Sequence, residues 1–342
     1  MIKKTVPVET AVGLILPHDI TEIRADEFKG RAFKKGHVIR PEDIPHLKQL
    51  GKDRIYLLEL GEDEIHENEA ANLLASALCG TGVSPQGEPV EGKIAIYAAR
   101  AGLLKINTGA LYRFNLLGEV MCATLHNNTP VKKGEILAAT RLIPLACKRK
   151  LIARAIGIAK IKDRIIRVVP FQKRRVGIVI VGNEVFHGRI QDAFAPILRK
   201  KIEQMGSEVI AIHFAPDDEK IIAKEIRESV NAGADLIITS GGMSVDPDDV
   251  TRLGIAMAGA TKVVYGSPVL PGAMFLIGYL GAIPILGIPA CAMFHKITIL
   301  DLVLPRILIG ERLTRPKIAQ LGHGGLCRTC PTCHFPACPF GR

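Results

Sequence analysis

The chain has 342 residues, of which 48% are hydrophobic and 23% are charged, a balance typical of globular proteins with more than one core. Trp is absent and aromatic residues make up only 5%, which argues against the stacking platforms that bind single-stranded nucleic acid. The net charge is +11, but the basic clusters are short and scattered, so we expect a small anion such as a phosphate as the ligand and no nucleic acid partner.

The N-terminal residues lack the apolar stretch of a secretory signal, and we therefore expect a cytoplasmic protein. Residues 265–294 carry no charge, but several prolines and glycines divide them into short pieces. A membrane span needs about 20 consecutive apolar residues. We therefore predict no membrane partner, and a buried strand–turn–strand region at this place.

Residues 1–171 lack the regular alternation of strands and helices, and we predict that they form a β-rich α+β domain. Strands or hairpin segments are predicted at 30–39, 55–58, 93–98, 102–106, 119–125 and 158–162, helices at 40–51 and 63–78, and a loop at 80–92. Segments 32–39 and 130–137 share the pattern of an apolar residue, Lys-Lys-Gly, any residue and two apolar residues. Because glycine suits the turn position, the pattern indicates two related hairpins.

From residue 172 onward buried strands alternate with amphipathic helices, which predicts a parallel α/β domain over residues 172–312. Its strands are predicted at 176–181, 208–214, 235–239, 261–265 and 283–288, and its helices at 191–205, 217–232, 250–259 and 290–308. The remaining residues, 313–342, form a Cys-rich tail.

Glycines and carboxylates follow the first three strands of this domain. The motifs are Gly182-Asn183-Glu184, Pro216-Asp217-Asp218, and the run from Ser240 to Thr251 that includes Gly241, Gly242, Ser244, Asp246, Asp248 and Asp249. Each motif alone is also explained by a surface turn or by an acidic helix start. Ligands of open α/β sheets bind at the carboxyl ends of the strands, so the convergence of the motifs at one edge favours a ligand site. The common Gly-rich nucleotide motifs are missing from the sequence.

In order and spacing, these motifs together with Pro271-Gly272 and Gly287-Ile288-Pro289 resemble the molybdopterin-binding domain shared by the MogA, MoeA/gephyrin and CinA proteins. The resemblance covers about residues 172–310. It implies a three-layer α/β domain with a parallel sheet that binds molybdopterin, a pterin with a phosphate, over the strand ends. It further implies a role in molybdenum cofactor biosynthesis, either adenylation of molybdopterin with ATP or insertion of molybdate.

The resemblance also implies residue roles. Asp249, Asp217 and Glu184 match the family's acidic residues and would position Mg²⁺ or the phosphoryl or molybdate group. The residues implied to bind the pterin are Gly182, Asn183, Ser240, Gly241, Gly242, Ser244, Asp248, Thr251, Pro271 and Gly272. A homo-oligomer and a molybdoenzyme client are the expected protein partners.

Two motifs depart from the family pattern. Leu270 stands where the family has a lysine before Pro-Gly, and residues 288–292 replace the usual Gly-Asn-Pro. The loss of a lysine that would pair with a phosphate motivates an alternative, a non-catalytic carrier or sensor of the cofactor. A third reading is a nucleotide pyrophosphatase similar to CinA.

The last sixteen residues contain four cysteines in the pattern Cys-x2-Cys-x2-Cys-His-x3-Cys. The members are Cys327, Cys330, Cys333 and Cys338, with His334 between them. In a cytoplasmic chain this spacing favours a metal centre over disulfides. Two assignments stay open: an iron–sulfur cluster held by the four thiolates, and structural zinc held by four Cys or by three Cys and His334. The other four cysteines are interpreted as small core residues.

Overall fold

The computed structural model describes residues 2–24, 28–161, 163–243, 246 and 250–341. The chain divides into two compact units, one made mainly of residues up to 168 and one made mainly of residues from 169 onward. Among the residues described, no helix is long and apolar enough to cross a membrane.

The first unit consists of short strands and four α-helices, which confirms the predicted β-rich domain. Its strands are β1 (Ile2–Pro7), β2 (Ile20–Arg24), β3 (Phe28–Phe33), β4 (Arg54–Glu59), β5 (Glu64–His66), β6 (Val83–Val90), β7 (Lys93–Ala98), β8 (Gly102–Ile106), β9 (Val120–Thr124), β10 (Pro130–Val131), β11 (Ile136–Leu142), β12 (Ala146–Lys148) and β13 (Ile166–Val169). Its helices are α1 (Asp43–Gln49), α2 (Glu67–Leu78), α3 (Thr108–Asn115) and α4 (Arg149–Ala159). The largest sheet is antiparallel in the order β6-β7-β11-β9.

Two apolar clusters stabilise this unit. One lies within the first sixty residues and includes Leu16, Phe33 and Leu47. The other joins the four-stranded sheet to α2, α3 and α4 and includes Ile96 and Phe114. Fully burying an aliphatic or aromatic side chain stabilises a fold by about 1.5–3 kcal/mol, so each cluster can hold its part of the unit together.

Two predicted elements in this unit are wrong. The segment 80–92, predicted as a loop because of its Gly and Pro residues, contains strand β6. This strand lies at the edge of its sheet, where a proline does not interrupt hydrogen bonding to a second neighbour. The strand predicted at 158–162 is wrong, because Ile158 and Ala159 complete α4, whose buried residues Ile152, Ala155 and Ala159 follow helical spacing; Lys162 lies outside the described residues.

The paired Lys-Lys-Gly segments form turns, but the predicted hairpins are wrong, because the strands on either side of each turn pair elsewhere: β10 and β11 belong to different sheets, and β3 pairs with β2 while Val38 bridges to Ile15. Gly36 and Gly134 have left-handed φ values of 87° and 85°. In each turn a backbone N–H donates to a carbonyl three residues earlier, to Lys34 in the first and to Lys132 in the second, at 3.0 and 3.3 Å. The similar sequences therefore form similar turns.

The second unit is the predicted α/β domain. Its strands are β14 (Arg175–Val181), β15 (Glu208–Ala215), β16 (Leu236–Ser240), β17 (Thr261–Tyr265), β18 (Leu276–Leu280) and β19 (Ile283–Ile288). Its helices are α5 (Asn183–Phe186), α6 (Phe194–Glu203), α7 (Glu219–Asn231), α8 (Thr251–Met257), α9 (Ile299–Leu308) and α10 (Arg315–Ala319). One six-stranded sheet runs in the order β15-β14-β16-β19-β18-β17.

Helices cover both faces of this sheet, which confirms three layers. Successive residues of β14 point to opposite faces. Ile178 and Ile180 join the core formed with α6 and α9, and Val179 and Val181 join the core formed with α7 and α8. The four strands β15, β14, β16 and β19 are parallel, so their carboxyl ends meet at one edge.

The charge-free region 265–294 forms the predicted strand–turn–strand, because β18 and β19 pair as an antiparallel hairpin. The long helix predicted at 290–308 is wrong in its first half. A 3₁₀ turn spans Ala290–Met293, and α9 begins only at Ile299. The helix begins there because Thr298 and Asp301 form a capping box. The side chain of each residue accepts a hydrogen bond from the backbone N–H of the other.

Candidate ligand site at the strand ends

The ends of β14 and β15 are joined by a reciprocal pair of hydrogen bonds. The backbone N–H of Asn183 donates to Asp217 Oδ2 at 3.0 Å, and the backbone N–H of Asp217 donates to Asn183 Oδ1 at 3.3 Å. The neighbouring Asp218 has a different role, since it accepts from two backbone N–H groups in the first turn of α7. Asp217 therefore belongs to the edge formed by the strand ends, whereas Asp218 caps α7.

The loop after β16 requires its two glycines. Gly241 and Gly242 have φ values of 87° and 54°. A Cβ on Gly241 would lie 3.0 Å from the carbonyl carbon of Val181 and closer still to its oxygen, and a Cβ on Gly242 would lie 2.5 Å from Thr251 Oγ1. Thr251 closes the loop, because its hydroxyl donates to the Gly241 carbonyl at 2.9 Å. The loop backbone therefore passes closely over the strand ends.

The Pro271-Gly272 turn is fixed against the start of α9. Ile299 donates its backbone N–H to the Pro271 carbonyl at 3.1 Å. A Cβ on Gly272 would lie 2.6 Å from Ile299 Cβ, so the absence of a side chain allows this approach. The Ser267 hydroxyl donates to the Gly272 carbonyl at 2.8 Å and holds the turn from the other side.

These loops enclose a cavity of about 560 Å³, which we call the strand-end cavity. It is lined by residues 241–243, 270–274 and 289–291, together with His295, Cys327 and Thr329. Four predicted pterin-binding residues therefore meet here: Gly241, Gly242, Pro271 and Gly272. The volume is in the range of small-molecule and cofactor sites in proteins.

The other predicted residues occupy different positions. Gly182, Asn183, Glu184 and Asp217 lie at the neighbouring strand ends and are not part of the cavity lining. Thr251 is buried behind the loop, and so is Ser240, whose hydroxyl has no hydrogen-bond partner among the residues described. Ser244, Asp248 and Asp249 lie outside the described residues.

Glu184 folds back toward the preceding glycine. A Cβ on Gly182, whose φ is 152°, would lie 2.8 Å from Glu184 Oε1. The Glu184 side chain is exposed, and Asp217 is half-buried. Asp217 approaches the cavity loop more closely, because its Oδ1 lies 3.6 Å from the Cβ position of Gly242. Of the two predicted catalytic carboxylates that the structure describes, Glu184 and Asp217, it is Asp217 that lies beside the Gly-Gly loop.

Sequence reasoning missed part of the lining. The sequence predicts Cys291 as an ordinary core residue, but Cys291 is half-buried and lines the cavity, where burial raises the pKa of its thiol. Met274 and His295 also line the cavity. No local pattern marks these residues. The altered segment after β19, where Cys291 stands, was the one available signal.

The described lining of the cavity contains few polar side chains. Within the lining that the structure describes, His295 supplies the one basic side chain, and neither Lys nor Arg is present. The loop is held from below by Tyr265, whose hydroxyl donates to the Met243 carbonyl at 2.8 Å. Arg252 lies over the Tyr265 ring at 4.3 Å and is occupied by that contact.

The Cys-rich tail lies against this same edge. Leu270 donates its N–H to the Gly325 carbonyl and accepts from the N–H of Cys327, both at 2.8 Å. Residues of the tail line a second cavity of about 300 Å³, which we call the tail cavity. Its lining includes Cys327, Cys330, Cys333, His334 and Cys338. Within residues 313–341 no three of these donors have their ligand atoms within 4.8 Å of one another. The donors surround one space without converging on one point.

One group of three metal-ligand side chains does converge elsewhere in the described chain: His213, Glu225 and Glu228, on β15 and α7. Its His213 Nδ1 and Glu225 Oε2 lie 2.7 Å apart and form an ion pair if the imidazole is protonated. Glu228 is exposed and pairs with Lys224 at 3.5 Å. These pairs explain the group as surface electrostatics.

Comparison with known proteins agrees with the domain assignment. Residues 177–308 match the family described as "Probable molybdopterin binding domain", and residues 5–59 match a domain of unknown function, DUF8806. The predicted resemblance is therefore confirmed at the level of this domain. The alternative likeness to CinA also has support, from the relatives described next.

A CinA-like protein of Thermosipho melanesiensis is 36% identical over 88 residues, which are 26% of this chain and 22% of the relative. A protein of Archaeoglobus fulgidus is 39% identical over 92 residues, 27% of this chain and 40% of the relative. The molybdopterin biosynthesis enzyme MoaB of Thermus thermophilus is similar in structure, with 26% identity and a TM-score of 0.34, over 40% of this chain and 98% of that one. The chain covers less than half of either curated relative.

Proposed function

We propose that the second unit binds molybdopterin, or a closely related pterin phosphate, in the strand-end cavity. The observation that carries this proposal is the position of the cavity: it lies at the carboxyl ends of parallel strands, within the residues that match the molybdopterin-binding family model. The lining is mostly apolar with a few polar groups, as is usual for sites that hold flat heterocycles.

The described groups suit such a ligand in a specific way. Gly241 and Gly242 line the cavity with backbone atoms alone, so the loop offers backbone polar groups to the edge of a pterin. Asp217, beside the loop, is the described carboxylate that we propose positions Mg²⁺ or the phosphoryl or molybdate group, with Asp249 as its proposed partner.

The proposed role is in molybdenum cofactor biosynthesis, by adenylation of molybdopterin or by insertion of molybdate. A second candidate, a non-catalytic carrier or sensor, is favoured by one observation: the described lining contains no Lys or Arg to neutralise the phosphates of ATP. Enzymes that transfer phosphoryl or nucleotidyl groups depend on such charges. A third, a nucleotide pyrophosphatase, is favoured by the CinA-like relatives.

The test incubates the full chain with molybdopterin, ATP, Mg²⁺ and molybdate. Adenylated pterin, or its molybdate-dependent cleavage, supports the enzyme, and pterin binding without turnover supports the carrier. Hydrolysis of a free dinucleotide supports the third candidate. Asp217→Asn and Asp249→Asn should each lower binding or turnover. If both variants match the wild type in both measurements, the assigned site is wrong.

We also propose that the tail binds a metal through its cysteines, either as an iron–sulfur cluster or as a zinc site. The support is that all four cysteines face one cavity. They would have to move closer together, because their sulfur atoms do not converge in this conformation of the described chain. Metal analysis and visible absorption of anaerobically purified protein separate iron–sulfur from zinc. A protein that contains neither metal, and takes up neither after reduction, refutes the proposal.

A further inference from the structure

The strand-end cavity and the tail cavity share a wall. Three residues line both of them: His295, Cys327 and Thr329. Two of the three carry donors for thiophilic metals, and they come from different parts of the chain. His295 belongs to the segment between β19 and α9, whereas Cys327 is the first cysteine of the tail.

The donors around the tail cavity differ in how firmly they are held. Cys327 and Cys338 are half-buried and pack against the core of the second unit. Cys330, Cys333 and His334 are exposed. His295 is half-buried like the first pair. The donors that the body of the domain already positions are therefore Cys327, Cys338 and His295.

The imidazole of His295 is available for a ligand. It makes no hydrogen bond or ion pair with any residue of the described chain. His66, by contrast, has both ring nitrogens engaged, with Pro17 and Asn68. Imidazole and thiolates together are a common ligand set for zinc, and a His can also replace Cys at iron–sulfur clusters.

We infer that His295, rather than His334, is a ligand of the metal centre formed by the tail cysteines. The inference rests on the metal-binding tail proposed above. Cys327 and Cys338 supply two further ligands, and one of the exposed cysteines supplies the fourth. Such a centre ties the tail to the segment after β19 and fixes the wall of the strand-end cavity. Metal occupancy and the shape of the pterin cavity are then coupled.

The test uses the full chain, freed of metal and reduced, and titrates it anaerobically with Co²⁺ as a spectroscopic probe. Wild type should show thiolate-to-cobalt charge-transfer absorption that saturates at one ion per chain. His295→Ala should weaken Co²⁺ binding at least about tenfold and change the d–d bands, because loss of even an outer-shell partner costs 10–100-fold. His334→Ala, the matched control, should bind as the wild type does.

His295→Cys should restore tight binding with an altered spectrum, which a merely structural role for His295 would not predict. If His295→Ala has the wild-type affinity and spectrum, or if His334→Ala carries the loss, the inference is overturned. Absence of Co²⁺ binding by the wild type overturns it as well. Circular dichroism of the metal-free variants checks that they are folded.

Pterin binding by the same proteins, measured with and without bound Co²⁺, separates this inference from the proposed function. A failed cobalt result with retained pterin binding overturns the metal-ligand role of His295 and leaves the proposed pterin function standing. The expected cobalt result without pterin binding in either the metal-free or the Co²⁺-bound form overturns the function proposed for the strand-end cavity and leaves the metal centre standing.

Discussion

Replacement of Gly241 by Ala tests whether the loop after β16 is built as tightly as its backbone indicates. The added Cβ would lie 3.0 Å from the Val181 carbonyl carbon and closer to the oxygen, and both atoms belong to the backbone of a central strand. A flexible side chain could rotate away, but this strand cannot. The matched control is Gly281→Ala, in the turn between β18 and β19, where φ is also positive and nothing lies within 4 Å of the new Cβ.

The two substitutions share one energetic cost and differ in another. The left-handed conformation costs a residue with a Cβ about 1–2 kcal/mol. In Gly241→Ala the steric overlap adds about 1–3 kcal/mol, the usual cost of forcing atoms into a packed site. We therefore expect Gly241→Ala to destabilise the second unit by about 1–3 kcal/mol more than Gly281→Ala does.

Hydrogen–deuterium exchange of peptides from β16, followed by mass spectrometry, reports on this unit by itself. The expected difference corresponds to about 5- to 150-fold faster exchange in Gly241→Ala than in Gly281→Ala. Pterin binding should also weaken in Gly241→Ala, because the loop must shift. Free energies that agree within about 0.5 kcal/mol would refute the reasoning that the Val181 carbonyl fixes the loop.

Three further predictions concern stability and binding. Tyr279→Phe should destabilise the second unit by about 1–3 kcal/mol in urea unfolding, because the buried hydroxyl binds both the N–H and the carbonyl of Leu313; a neutral effect would contradict this. Asp218→Ala should lower the stability of the second unit by about 1 kcal/mol and leave pterin binding unchanged, because Asp218 caps α7. Asp217→Asn should weaken pterin binding and leave stability unchanged, because Asp217 lies at the strand ends. Equal effects of the two variants on pterin binding would contradict these different roles. Burial lowers the pKa of His66 from its ordinary value of 6.5, so the unfolded chain binds more protons and stability should fall as the pH drops through and below that value. Thermal unfolding at roughly pH 5.5 and 7.5 should show this loss in wild type and a smaller one in His66→Gln, and equal losses would rule out His66 as the cause.

Local features of the sequence were sufficient for the first half of the second unit. The alternation of apolar strands with amphipathic helices predicted β14, β15 and β16 and the helices α6 and α7 between them. The local pattern is sufficient here because the central strands are buried on both faces and appear as continuous apolar runs, whereas each helix buries one face against the sheet and has helical apolar spacing.

Prediction failed where distant contacts override a local pattern. Segment 80–92 contains the glycines and prolines of a loop, but β7 pairs with it and makes it a strand. The segment Ile-Ala-Lys-Ile-Lys at 158–162 is typical of a strand when taken alone, yet its first two residues complete a helix that begins at Arg149. In both places the deciding interaction lies outside the window in which the pattern was read.

The loop from Ser240 to Thr251 shows the same division at the candidate site. The sequence alone determined that a Gly-Gly turn follows a buried strand, because positive φ values and close backbone contacts are local demands that only glycine meets. Only the tertiary structure decided that Cys291, His295 and the tail lie against this loop. Those contacts join residues that are tens of positions apart, through backbone bonds at Leu270 that no local pattern encodes.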